Sequence, residues 1–308
     1  MKRENHREYH VPVMLREALD ALQVKTGGIY VDCTFGGGGH SREILSRLGS
    51  DGKLIAFDQD ADARENLPED DRIIFVPHNF RHLQRFLKLY KIQAVDGILA
   101  DLGVSSHQFD EGERGFSTRS DDAALDMRMD QRQELTAQTI LSDYSEERLH
   151  KLFEQYGEVT NAKTLAKTIV DARRITPLKS VAGFKSAVHD VVKGNPKKYF
   201  AQVFQALRIE VNDEVGALKE MLQQVPAVLK EGGRIAVITF HSVEDRIVKV
   251  FFKEGSFEGS DEHDLYGGGR QSQLKVITKK PVLPTGDEMK VNPRSRSAKL
   301  RVAERKLR

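Results

Sequence analysis

Ile29-Tyr30-Val31-Asp32-Cys33-Thr34-Phe35-Gly36-Gly37-Gly38-Gly39-His40-Ser41 is an apolar run that ends in an acid and passes through four glycines into a helical pattern continued by Ile44, Leu45 and Leu48. Strand, glycine loop and helix in that order make a nucleotide-type site, because glycine lets the backbone approach a ligand closely and adopt positive φ. A second apolar run, Leu54 to Asp58, also ends in an acid, placed to accept hydrogen bonds from ribose hydroxyls. A dinucleotide fingerprint would want G-x-G-x-x-G; Gly36 and Gly38 fit, but the third position is Ser41. Asp32 at the end of the first strand would repel a pyrophosphate and suits an ammonium, which favours S-adenosylmethionine over a nicotinamide cofactor.

Outward from this loop the α/β grammar continues. Ile73–Val76 and Val95–Asp101 read as further strands, with Leu83, Phe86, Leu87 and Tyr90 forming a helical stripe between them. Such short, apolar strands alternating with helices predict a parallel sheet covered on both faces. After Asp101 the pattern changes. A polar stretch, 103–130, is followed by helices that Ser145 and Ser180 can cap and by a third over about 161–174, with no strand between them. The stripe Val215, Leu218, Leu222, Val225, Leu229 and the run Ile235–Phe240 then resume the α/β order. The expectation is one discontinuous domain, 1–107 with 206–308, carrying a helical insertion over 108–205.

Composition bounds the function. The chain has 308 residues with 39% hydrophobic and 31% charged, and no apolar run reaches the roughly 20 residues of a membrane span. A polar start argues against a signal peptide, so a cytoplasmic, soluble protein is expected. One cysteine, Cys33, excludes an internal disulfide and a four-thiolate metal site. Net charge is +2, yet residues 290–308 carry eight basic side chains against Glu304 alone, leaving −5 on the remainder. That cationic end reads either as a polyanion contact or as a solvated tail.

Several segments in one order carry a family resemblance: Tyr9-His10-Val11-Pro12-Val13-Met14-Leu15, Thr34 to Ser41, Asp101-Leu102-Gly103-Val104-Ser105-Ser106, Arg114-Gly115-Phe116-Ser117, Leu125 to Met129, Phe204 to Arg208, Phe240 to Arg246 and Asn292 to Arg305. Together they resemble the bacterial RsmH (MraW) family of 16S rRNA (cytosine-N4)-methyltransferases. The resemblance implies a class I S-adenosylmethionine-dependent fold, Rossmann-like and doubly wound, with an inserted all-helical domain for substrate recognition. It implies N4-methylation of a cytidine, cytidine 1402, in the decoding region of 16S rRNA within the small ribosomal subunit. It places Gly38, Gly39 and His40 at the cofactor, Asp58 on its ribose, Phe80 beside the adenine, and Asp101 and Gln108 near the methionine end. It implies no metal, no DNA and no membrane, and it allows a homodimer.

The chemistry asks for an acceptor. The exocyclic amine of cytosine is a weak nucleophile, so its lone pair must be oriented in line with the donor methyl while its protons are held. Asp101, leaving the C-terminal end of the fourth strand, is the natural acceptor, although the Pro-Pro-aromatic signature of many amino-methyltransferases does not follow it. His241 shares that rim and could orient the base or move a proton; equally, the cluster around it could cap a helix, with Ser242 as N-cap. Cys33 in the cofactor loop is misplaced for attack on C6 of a pyrimidine. Arg294, Arg296, Lys299 and Arg301 are expected to touch RNA phosphates; alternatively Leu300 and Val302 anchor a final strand whose charges are merely solvated. Rival readings are a methyltransferase for another RNA base or a protein, a nicotinamide oxidoreductase, and a non-catalytic ribosome-assembly factor.

Overall fold

The computed structural model describes residues 12–105, 108–109, 112–257 and 272–307. Tyr9, His10 and Val11 of the N-terminal motif and Ser106 of the strand-four motif lie outside these. The chain divides into two compact units, 1–103 with 217–308, and 104–216.

The first unit is built on seven strands: β1 (Ile29–Asp32), β2 (Lys53–Phe57), β3 (Ile73–Val76), β4 (Val95–Asp101), β5 (Leu229–Thr239), β6 (Leu274–Val276) and β7 (Lys299–Arg305). Their order is β3-β2-β1-β4-β5-β7-β6. The first five are parallel, and β7 runs antiparallel between β5 and β6. This is the expected Rossmann-like, doubly wound sheet. The order reverses at β1 and β4, so their C-terminal ends flank the crevice where such sheets bind ligands. The central strands are nearly continuous apolar runs because both faces are covered: Leu218, Met221, Leu222 and Val225 pack on one, Met14, Leu19, Leu22 and Ile44 on the other. Gly232-Gly233, between the helical stripe and the run Ile235–Phe240, lie in a bulge of β5, since pairing jumps from Val95↔Leu229 to Gly97↔Arg234 and Gly232 turns through φ 72°.

Helices α1 (Leu15–Leu22), α2 (Gly39–Arg47), α3 (Leu83–Leu89) and, later in the chain, α10 (Ser242–Glu254) and α11 (Gly286–Val291) belong to this unit. The second unit contains α4 (Ala137–Asp143), α5 (Glu146–Gln155), α6 (Ala162–Arg173), α7 (Val181–Ala187) and α8 (Pro196–Asn212), and α9 (Glu214–Val228) leads back to the sheet. Its own core gathers Leu149, Phe153, Leu165, Ile169, Phe184 and Leu207. Ser145 and Ser180 do cap, accepting from the N–H groups of Arg148 and Gly183. The unit boundaries fall at 103/104 and 216/217 rather than at 107/108 and 205/206. The reason is α8, which continues unbroken through residue 205 to Asn212. The Asn212 carboxamide then accepts from Met129 N–H and donates to Met127 O, tying the polar 103–130 stretch to that helix. Among the described residues no helix is long and apolar enough to cross a membrane.

Candidate active site

Asp32 organises the glycine loop from beneath. Its Oδ1 accepts from Thr34 N–H at 3.0 Å and its Oδ2 from the Ser41 hydroxyl at 2.7 Å. Only 1% of the residue is exposed, and Ser41 is fully enclosed. Burial pushes the Asp32 carboxyl above the ordinary range. In this structure both Asp32 oxygens serve the loop, and the side chain is almost wholly enclosed beneath it. Ser41, read from sequence as a departure from a glycine fingerprint, is there because Asp32 needs its hydroxyl.

The loop itself is a set of close approaches. Gly36 and Gly38 adopt φ of 50° and 74°, in the left-handed region that glycine enters at no steric cost. A Cβ on Gly39 would collide with the Pro12 ring. Gly36 N–H donates to Asp58 Oδ2 at 2.7 Å, while Asp58 Oδ1 accepts from Asp60 N–H at 2.9 Å. Burial is the main reason the Asp58 carboxyl is raised to about 7; the two N–H donors pull it down, and the neighbouring acids Asp60 and Asp32 push it up. Phe80 opens a 3-10 turn capped by Asn79, whose Nδ2 donates to Gln59 Oε1 at 2.9 Å, and its ring is half-buried beside the β2 end. Loop, Asp58 and Phe80 thus belong to one end of the sheet. Gln108 lies in the second unit, buried, with its Oε1 accepting from Ser105 N–H.

Asp101 closes the group. Its backbone N–H donates to the Thr34 hydroxyl at 2.7 Å, coupling the ends of β1 and β4. Its Oδ2 lies 3.8 Å from His40 Nδ1, and its Oδ1 is buried with no hydrogen-bond partner among the described residues. The carboxyl is raised well above the usual range by burial and then by the charges of Asp32, Glu244 and Glu288. His40 Nε2 lies 3.1 Å from Val13 O; a carbonyl can only accept, so Nε2 carries the proton and Nδ1 keeps its lone pair toward Asp101. Burial also lowers the imidazole's affinity for a second proton. Glu288 was not legible as part of this group from sequence. Its Oε1 accepts from the N–H of Met14, a fully buried residue with φ 52°.

His241 turns out to be the N-cap of α10, in place of Ser242. Its Nδ1 accepts from Glu244 N–H at 3.4 Å, and Glu244 Oε2 accepts from Phe240 N–H at 3.0 Å. Its Nε2 lies 3.0 Å from Glu244 Oε1 but off the hydrogen-bonding direction. Asp245 faces the other way, toward β7: Arg301 donates to it from Nε at 2.6 Å and from Nη2 at 3.1 Å, with Lys299 Nζ at 3.5 Å. Arg301 is 6% exposed within β7, so its expected RNA contact is corrected to an internal ion pair. Leu300 and Val302 are buried in the same strand. Lys299 is partly engaged by Asp245, while Arg294 and Arg296 stand exposed on a 3-10 turn. Cys33 is sealed in the core, its thiol pushed well up by burial and by Asp32.

Comparison with known proteins places the chain. Residues 7–306 match the family model described as the MraW methylase family. A protein of Parabacteroides distasonis named ribosomal RNA small subunit methyltransferase H is 54% identical over 299 residues, covering 96% of this chain and 97% of that one. The protein of the same name from Christiangramia forsetii is 52% identical over 302 residues, covering 97% and 98%. A crystal structure described as a putative rRNA-methylase from Clostridium thermocellum aligns at a TM-score of 0.45 and 13% identity, over 96% of this chain and 99% of that one.

Proposed function

We propose, since this chain belongs to the MraW methylase family, that it methylates the N4 amine of a cytidine in small-subunit rRNA with S-adenosylmethionine as donor. The names of its relatives support the RNA substrate. The observation that carries the chemistry is the orphaned Asp101 Oδ1, a buried acceptor at the sheet's ligand-binding edge.

The residues present fit the cofactor. Asp32, Glu244 and Glu288 bring negative charge to bear on Asp101, whose unpartnered buried oxygen suits a cationic ligand. Gly36 to Gly39 and His40 would hold its methionine side, Asp58 the ribose hydroxyls and Phe80 the adenine. When bound, S-adenosylmethionine supplies an electrophilic methyl group on a sulfonium.

Everything else falls to the chain. Asp101 Oδ1 accepts one amine N–H and so aims the nitrogen lone pair. Ionised beside the cationic donor, Asp101 takes the surplus proton as the nitrogen is methylated, and the lone pair of His40 Nδ1 stands 3.8 Å from its Oδ2. No thiol is needed, because the amine is the nucleophile and Cys33 stays in the core. His241 keeps α10 and Glu244 in place. The helical unit contributes substrate recognition, and the site lies on a chain with no membrane-crossing helix among its described residues.

The test is transfer of labelled methyl from S-adenosylmethionine to small ribosomal subunits, naked 16S rRNA, DNA and bulk protein in parallel. Label confined to 16S rRNA, and lost in Asp101→Asn while cofactor binding persists, is the expected result. Label on protein or DNA would overturn the reading.

A further inference from the structure

Part of the basic tail is engaged by its neighbours, Arg301 inside the fold, and a second cationic region stands open as well. Arg301 is held by Asp245, Arg305 by Gln273, and Lys290 by Asp287. Residues 159–200, in contrast, contain nine Lys and Arg against only Asp171 and Asp190, a net charge of +7. Two of the nine are matched, Arg174 by Asp171 at 3.5 Å and Lys185 by Asp121 at 2.8 Å. Asp190 sits beside His189. Lys163, Lys167, Lys193, Lys197 and Lys198 are all exposed.

Packing draws most of these lysines together. Asn161, one residue before α6, donates from Nδ2 to Val191 O at 2.8 Å and accepts from the Tyr199 hydroxyl at 3.1 Å. Tyr199 is 4% exposed, so this clasp is anchored in the core. It fixes the start of α6, the turn after Val191 and the first turn of α8 against one another. Those three segments carry Lys163, then Lys193, then Lys197 and Lys198; Lys167 follows Lys163 one turn along α6. Gly194, at φ 69°, leaves open space beside the backbone between Lys193 and Lys197. Five ammonium groups without carboxylate partners among the described residues, presented by a rigid scaffold, match a polyanion with regularly spaced charges.

We propose that Lys163, Lys167, Lys193, Lys197 and Lys198 form a phosphate-gripping face for RNA. This rests on the rRNA substrate reading and names the surface of the helical unit that would serve it. Phosphate contacts hold and orient a nucleic acid without reading its sequence, so this face sets affinity and register while the base is chosen elsewhere.

The experiment measures binding of a labelled single-stranded 16S rRNA fragment against KCl concentration for the wild type, a five-lysine Ala variant, the same five changed to Gln, and Arg294→Ala/Arg296→Ala. Loss of five phosphate contacts should flatten the plot of log affinity against log salt by about 3.5 units. Both lysine variants should raise KM for RNA more than they lower kcat and leave S-adenosylmethionine affinity unchanged by calorimetry. An unchanged slope in both lysine variants would overturn the proposal, as would wild-type binding to phosphatidylglycerol vesicles in preference to RNA. Flattening confined to the arginine variant would also overturn it and return the contact to the tail. If the wild type binds RNA with this lysine dependence yet methylates none, the face stands and the rRNA methylation reading falls.

Discussion

Replacing Asp58 by asparagine should change how the ligand-free protein responds to pH. The Asp58 carboxyl is raised to about 7, principally by burial, against an ordinary value of 3.8. An acid whose pKa is higher folded than unfolded holds its proton more tightly in the folded state. Its contribution to stability is fully present below about pH 4 and is lost as pH rises through about 7. Three units of difference at about 1.4 kcal/mol each make that loss about 4 kcal/mol by neutral pH. The carboxamide of Asp58→Asn cannot titrate, so the variant should escape it. That amide must face either Gly36 N–H or Asp60 N–H with another donor, at a cost of about 1 to 3 kcal/mol that does not depend on pH. The measurement is therefore the slope and not the offset. In urea titrations followed by circular dichroism from pH 4 to 7, the wild type should lose about 1.4 kcal/mol per pH unit more than the variant. Parallel profiles would refute the argument that Asp58 is strained by burial and waits for hydroxyl donors. The same variant should bind S-adenosylmethionine more weakly, since an amide cannot accept from two ribose hydroxyls as a carboxylate does.

Other perturbations separate scaffold from chemistry. Ser41→Ala removes the buried hydroxyl that Asp32 needs and should cost about 1.5 to 3 kcal/mol of stability, read in urea, together with much of the cofactor affinity; an unchanged midpoint would show that the loop does not depend on this bond. Arg301→Ala leaves the half-buried Asp245 with Lys299 alone, at 3.5 Å, and should destabilise by about 1.5 to 3 kcal/mol without altering the salt dependence of RNA binding; a flattened salt plot at unchanged stability would restore Arg301 as an RNA contact. Asp101→Asn should lower turnover by about 10²- to 10⁴-fold, while Cys33→Ala keeps substantial turnover in the same assay. The reverse pattern would make the thiol the catalytic group.

The sheet and its loop were legible because their signals are local. Strand, glycines and helix adjoin in sequence, and a glycine at positive φ or an acid ending a strand needs no distant partner to be recognised. Features made by long-range contact were hidden. Met14 meets Glu288 across 274 positions and Arg301 meets Asp245 across 56. Counting charges in the tail could not reveal that its central arginine points inward. Ser41 looked like a flaw in a glycine motif until Asp32 was seen to use it, and His241 displaced Ser242 as a cap because its ring nitrogen reaches Glu244 N–H. The unit boundary was missed since nothing in the amphipathic pattern of Pro196–Asn212 marks residue 205 as an end. The lysine face, by contrast, could have been found by the charge count that singled out the tail, applied to 159–200.

Nucleoside mass spectrometry on 16S rRNA methylated by the purified protein tests the central claim most directly. A buried carboxylate that accepts from an exocyclic amine, with the thiol sealed in the core, predicts N4-methylcytidine as the product and its disappearance with Asp101→Asn. 5-Methylcytidine, or N4-methylcytidine formed undiminished by Asp101→Asn, would contradict the account.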